Sequence, residues 1–280
     1  MDARHLPLSV WPAAADTETV STCRSGCCVP VSGPLARHLI TACTRLGDLV
    51  IDLDAADHHV ISTALAMGCQ AAATITDPVR ARVIGRALAI SHPEHDLEVA
   101  DLRFTRPDTL LTGIRDLIGA AALVVLTYAC PSRRNELAET SDTAAQPAQS
   151  ADTRGHEPLD LAGSAALLKP GGHLVVVTGL HRGEQNLTDP GPALIAETQR
   201  VGLLYLQHIV ALRTPINGQQ MEPPLTWGVS RAGAAVPGVP VSARVHSDVF
   251  IFTKPRTEDA GVRGHHPMLG DQAWLEGEQA

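Results

Sequence analysis

Gly47-Asp48-Leu49-Val50-Ile51-Asp52-Leu53-Asp54-Ala55-Ala56-Asp57-His58-His59 decides the fold, because an apolar run ends there in an acidic turn and leads straight into a helix. A continuous apolar run of this length is what a strand covered on both faces requires. Asp57 stands where a helix over residues 58–68 needs its N-cap, with Ile61 and Leu65 on the core side and Gly68 as the stop. In open α/β sheets the ligand lies outside the carboxyl ends of such strands, so Asp52 to His58 mark the place to look for a site.

Working outward, Pro34 opens a helical pattern with Leu35, Leu39, Ile40 and Cys43 on one face, and Gly47 closes it before the strand. A second strand is expected at 71–76, followed by Asp77-Pro78 at the start of a helix with Val79, Val83, Ile84 and Leu88 spaced for core packing. The pattern continues with a strand over 97–102 ending at Asp101, a helix over 107–118 and a fully apolar strand over 121–127. Beyond it come a helix at 159–168, a turn at 169–172, a strand at 173–178, a helix at 190–201 and strands at 203–212 and 245–253. Strands alternating with helices predict one α/β domain, a doubly wound, mostly parallel sheet of seven strands whose last two strands lie at the edge.

Around the domain of residues 34–254, the chain divides by composition. Residues 1–33 read as an N-terminal arm punctuated by Pro7, Pro12, Gly26, Pro30 and Gly33, with Trp11 as an apolar anchor. Residues 138–158 are small and polar, and read as a mobile insertion that cannot offset its ordering entropy by burial. Residues 255–280 read as an acidic, disordered tail in which Trp274 is an isolated anchor for a protein partner.

The net charge of −8 over 280 residues, with Lys169 and Lys254 the only lysines, argues against a broad non-specific surface for nucleic acid. A local patch of Arg133, Arg134, Arg182 and Arg213 at strand-end loops is the remaining DNA-binding candidate. No apolar run reaches the roughly 20 residues of a membrane span, and no basic segment precedes an apolar one, so a cytoplasmic location without membrane contact is expected. Six cysteines spread over a chain of this kind read as reduced thiols. Cys23, Cys27 and Cys28 lack a fourth zinc ligand at a common spacing, Cys43 and His38 being the nearest candidates.

Three stretches carry a family resemblance: Gly47-Asp48-Leu49-Val50-Ile51-Asp52, Leu168-Lys169-Pro170-Gly171-Gly172-His173-Leu174 and His246-Ser247-Asp248-Val249-Phe250-Ile251-Phe252-Thr253-Lys254-Pro255. In this order and spacing they resemble the DNA N4-cytosine/N6-adenine methyltransferases, in an actinobacterial-like branch. The resemblance implies an S-adenosylmethionine-dependent, Rossmann-like fold in which the first stretch opens the cofactor site. It also implies where this chain departs from the family. Ala56 and His58 stand at glycine positions of the cofactor loop, and Ile75 at the acidic position that meets the cofactor ribose. Asp101 stands at the acidic position expected near the adenine amino group. The family's (D/N/S)-P-P-(Y/F/W) tetrapeptide, which holds the target amine and stacks a flipped base, is Thr127-Tyr128-Ala129-Cys130 here, followed by Pro131. The His-Pro-x-Lys motif ahead of the first helix is Val29-Pro30-Val31-Ser32.

Two functions follow from these departures. One is a degenerate relative, a pseudoenzyme serving as a binding or regulatory protein; the other is a divergent methyltransferase acting on an exocyclic amine of a DNA base. Asp52, Asp54, Asp57, His58 and His59, with His92, Glu94, His95 and Asp96, also hold enough donors for a metal, but His and Asp at a helix start are ordinary caps and turns, and no metal is expected. No G-x-S-x-G elbow or P-loop is present, and Cys130 has no base near it in sequence.

Overall fold

The computed structural model describes residues 10–13, 31–106, 111–128, 160–179, 181–182, 187–213, 216–217, 220–221 and 246–256. The expectations for the insertion at 138–158, for Cys23, Cys27, Cys28, Ala129, Cys130, Pro131, Arg133 and Arg134, and for the tail beyond 256 lie outside the described residues.

The decisive stretch forms strand β2, Leu49–Leu53, after strand β1, Val10–Pro12, and helix α1, Gly33–Cys43. Ser32 caps α1 by accepting the Leu35 N–H, and Pro34 sits in the first turn, where its missing donor is harmless. Helix α2, His59–Ala66, leads to β3, Gln70–Ile75, and Asp77 caps helix α3, Pro78–Ser91, by accepting the N–H groups of Val79 and Arg80. A short helix α4, Glu94–Leu97, precedes β4, Ala100–Phe104; a 3-10 turn, Thr112–Leu117, precedes β5, Ala121–Thr127. Helix α5, Leu161–Leu167, runs into β6, Leu168–Thr178; then follow α6, Gly191–Arg200, β7, Leu204–Leu212, and β8, His246–Thr253.

The sheet has eight strands in the order β1-β7-β8-β6-β5-β2-β3-β4. Adjacent residues of each central strand serve opposite faces. Val50, Leu123, Val125 and Val175 pack under α1, α2 and α3 with Leu39, Ile61, Ile84 and Leu88. Ile51, Val124, Leu174 and Val176 pack on the other face with Leu161 and Leu167 of α5 and Leu194 of α6. Near-continuous apolar strands are therefore a consequence of covering both faces, and the fold is the doubly wound, Rossmann-like α/β class expected for a methyltransferase-type sheet.

Several expectations are corrected by the fold. The sheet gains an eighth strand because Val10–Pro12, placed by sequence in the arm, pairs parallel with Val210–Leu212. The last two strands do not share the edge: β8 inserts antiparallel between β6 and β7, where its apolar residues are covered on both sides. The strand expected to end at Asp101 runs from Ala100 to Phe104, since Leu97 closes α4 instead. Of the helix expected over 107–118, residues 107–110 lie outside the described residues, and Thr112–Leu117 is a 3-10 turn.

Lys169 to Gly172, expected as a turn, is an irregular beginning to β6. Gly171 has φ +78 and donates its N–H to the Lys254 carbonyl, while Lys254 returns its N–H to Gly172. The Lys254 ammonium then donates to the carbonyls of Ala165 and Leu168 at 3.1 and 2.7 Å, satisfying the open end of α5. A Cβ on Gly172 would meet the Ala121 and Lys169 carbonyl oxygens at 2.7 and 2.9 Å, both backbone atoms that cannot swing away. Gly172→Ala is expected to cost about 1–3 kcal/mol through that overlap, measured as a lowered urea midpoint with an unchanged slope.

Candidate functional site

The topological switch point lies where β2 sends its chain one way to β3 while β5 lies on its other side. At the carboxyl end of β2 the chain carries Asp52, Asp54 and Asp57 within six residues, and their side chains have different fates. Asp52 is only 5% exposed. Burial pushes its carboxyl well above the usual carboxylate range, the charges of Asp57 and Asp54 push the same way, and Arg80 opposes them.

Asp54 instead turns across to β3. Its backbone is left-handed, φ 53, and its N–H donates to the Thr74 hydroxyl at 3.0 Å while the next N–H, of Ala55, donates to the Thr74 carbonyl at 2.8 Å. One carboxylate oxygen of Asp54 then accepts from the Thr76 hydroxyl at 2.7 Å, the Thr76 N–H at 3.3 Å and the Arg80 guanidinium at 2.8 Å. Arg80 also donates to the Thr76 hydroxyl at 3.0 Å. The Arg80 side chain is 10% exposed and that of Asp54 28%, so the pair is largely withdrawn from water.

Asp57 accepts the His59 N–H at 2.9 Å and so starts α2 from one position further out than expected, His58 taking the cap position without a side-chain bond. Its second carboxylate oxygen is buried without a hydrogen-bond partner. Burial raises the Asp57 carboxyl, while His59, its backbone N–H and His58 pull it back. The His58 and His59 rings lie 4.5 Å apart at 34°. Burial lowers the His58 imidazole, the neighbouring charges of His59 and His92 lower it further, and Asp57 alone counters them. Both members of the Asp52/His58 set are thus biased toward their neutral forms.

The other residues singled out by sequence are placed as follows. Ala56 lies half-buried in this turn, and neither it nor His58 has positive φ. Ile75 is 1% exposed and belongs to the core under α1 to α3, so the side chain that faces the strand-end opening is that of Thr76. Asp101 is corrected: it is the second residue of β4 rather than its end, and accepts from Arg103 Nε at 2.8 Å. Thr127 ends β5 half-buried, and Tyr128 donates its N–H to Val177 at 2.9 Å and packs against the core of the α5 side. Arg213 is 9% exposed and so lines no open arginine cleft. His92 is held by Ser62 of α2, Nε2 to Oγ 2.7 Å, instead of joining the strand-end acids. Among the described residues no three His, Cys, Asp or Glu side chains converge as a metal set, and no helix is long and apolar enough to cross a membrane.

Thr74, Thr76 and Arg80 are the site residues that sequence reasoning missed. Alternating threonines in an alanine-rich strand and an arginine in the first turn of the next helix carry no local signature; only their closure on Asp54 gives them a role.

No family model and no curated protein matches the chain. Solved structures do. A precorrin-6y C5,15-methyltransferase from Geobacter metallireducens is similar at a TM-score of 0.49 and 11% identity, over 87% of this chain and 99% of that one. The 1,6-didemethyltoxoflavin-N1-methyltransferase of Burkholderia thailandensis, in a structure with S-adenosylhomocysteine, gives 0.45 and 14% over 80% and 78%. A transferase of Pyrococcus horikoshii gives 0.45 and 9% over 80% of this chain, which spans 63% of that protein's length. At such identities and scores none of these proteins' activities bears on this chain.

Two measurements follow from the geometry. Arg80→Ala leaves Asp54 buried without its cation, and is expected to cost about 3 kcal/mol by urea denaturation, the lower end for a broken buried pair because Asp54 keeps some contact with water. Asp52 has a folded-state pKa above its unfolded one, so the folded chain holds the extra proton and stability falls as pH rises from about 4 through the raised value. Asp52→Asn removes that loss. Its denaturation midpoint is expected to exceed that of the native chain by more at pH 8 than at pH 5.

Proposed function

We propose that this chain is a degenerate member of the DNA amino-methyltransferase lineage that acts as a binding or regulatory protein and is impaired in methyl transfer. The observation that carries the reading is the closure of Asp54 on Thr76 and Arg80. A cofactor bound at the switch point needs strand-end polar groups that are free to turn to it, and here one carboxylate oxygen of Asp54 is held by Thr76 and Arg80 inside the protein.

Three further features support it. Side chains stand at Ala56 and His58, where the family has glycine and the cofactor approaches the backbone. The acidic ribose position is Ile75, whose side chain lies in the core. Tyr128 occupies the first proline position of the catalytic tetrapeptide and contributes to packing instead of shaping a loop. These residues do not fit S-adenosylmethionine, and no methyl-transfer step is derived through it. DNA as a partner rests on the family resemblance; of the four candidate arginines only Arg213 has a described side chain, and it is buried.

The test is a thermal-shift and calorimetric titration of the purified chain with S-adenosylmethionine and S-adenosylhomocysteine. A ligand at 1 mM with a Kd of about 10 µM adds roughly 2.7 kcal/mol, or about 5–10 °C for a domain of this size. A shift below about 1 °C, with no heat of binding, is expected. A shift of about 5 °C or more would establish the divergent active methyltransferase instead and direct attention to DNA methylation.

A further inference from the structure

The two ends of the sheet are finished differently. At one end β1 has three residues and closes with Pro12, which has no N–H to offer a new strand. At the other, β4 is the terminal strand among the described residues and contains neither proline nor lysine.

The direction of its backbone groups follows from two bonds. Val99 accepts from the Ala71 N–H at 3.1 Å and Thr105 donates to the Ile75 carbonyl at 3.0 Å. Residues 99, 101, 103 and 105 therefore face β3. Ala100, Leu102 and Phe104 aim their N–H and C=O groups away from the sheet. The cation that would guard such an edge is neutralised on its own subunit: Arg103 donates to Asp101 at 2.8 Å and to Asp116 at 2.7 Å. Phe104 is left 60% exposed, and on α3, which covers this end of the sheet, only Ile84 and Leu88 of the four residues expected in the core are buried, while Val79, Val83 and Ile90 are exposed.

We propose that β4 pairs antiparallel with β4 of a second copy of this chain, the two-fold axis passing beside Leu102, to give one continuous sheet across the dimer. The sequence Ala100-Asp101-Leu102-Arg103-Phe104 is complementary to itself in this register. Leu102 faces the partner's Leu102, and Ala100 faces the partner's Phe104, a small residue opposite a large one. All three outward residues fall at hydrogen-bonded positions, so the pairing satisfies every outward N–H and C=O from residue 100 to residue 104. Asp101 falls opposite the partner's Arg103 at the non-hydrogen-bonded positions, where side chains stand closest, and does so twice by symmetry. A shift by one residue puts outward groups opposite inward ones and loses both charge pairs. A membrane or an unrelated strand would meet the apolar groups but not this alternation of charge.

The experiment is sedimentation velocity on the full chain over 1–100 µM. A species of twice the chain mass is expected, and Leu102→Lys and Phe104→Lys are each expected to weaken it at least tenfold while circular dichroism stays unchanged. Asp101→Arg sets Arg against Arg across the axis and is expected to weaken the dimer. Leu102→Cys supplies a readout that does not depend on a lost interaction: the paired Cα atoms would lie about 5.5 Å apart, within disulfide reach, and mild oxidation should link two copies beyond the level seen with the native cysteines. A chain monomeric at 100 µM would overturn the proposal. So would a dimer indifferent to Leu102→Lys and Phe104→Lys, or one that Leu102→Cys does not link.

Discussion

The hold of Asp54 on β3 and α3 is the constraint from which the working end of this molecule follows. A non-glycine residue in a left-handed backbone costs roughly 1–2 kcal/mol unless local bonds support it, and Asp54 is supported through both its N–H and its carboxylate. Threonines 74 and 76 and Arg80 are the partners, so the residue that follows β2, the carboxyl end of β3 with the residue that follows it, and the first turn of α3 are fixed together. The turn that follows is thereby aimed, and Ala55, 0% exposed, is drawn under it.

This lock also sets the electrostatics of the strand ends. Arg80 is engaged by Asp54, and burial drives the neighbouring Asp52 and Asp57 toward the protonated form. The adjacent, tilted rings of His58 and His59 add imidazole beside them, with His58 held toward neutrality by the same burial. A site at a switch point owes its usefulness to polar groups that are ordered yet unspent. Here the ordering of Asp54 comes from partners within the protein, Thr76 and Arg80.

The same economy of charge appears at the far edge of the sheet. Arg103 is folded onto Asp101 and Asp116, which leaves β4 apolar in its outward aspect, whereas β1 is blunted by its length and by Pro12. Between the two edges the sheet is held by strands covered on both faces, and the one inverted strand, β8, carries Phe250 and Phe252 into the core of the α5 side. Lys254 at its end reaches back to α5, so the antiparallel insertion is tied to the helix that precedes β6.

The amino-acid sequence alone determined the elements whose signals are local. Apolar runs at 49–53 and 121–127 had to be buried strands, because no other regular element hides such a run on two faces. Asp77-Pro78, Pro34 and Gly68 marked two helix starts and a stop through single-residue backbone preferences, whereas α1, expected to close at Gly47, ends at Cys43 with Thr44 as its cap. What depended on partners distant in the chain was decided by the tertiary structure. Val10–Pro12 became a strand because β7 offered an edge, and the strand after α4 began at Ala100 because β3 set its register. The site divided in the same way. That Ala56 and His58 are not glycine is visible in the letters, but that Ile75 turns to the core, that Tyr128 packs inward and that Arg80 closes on Asp54 depends on which face each side chain meets. A hydrogen bond across 26 residues has no periodicity to betray it, and only the packing of α3 against two strand ends brings its partners within reach.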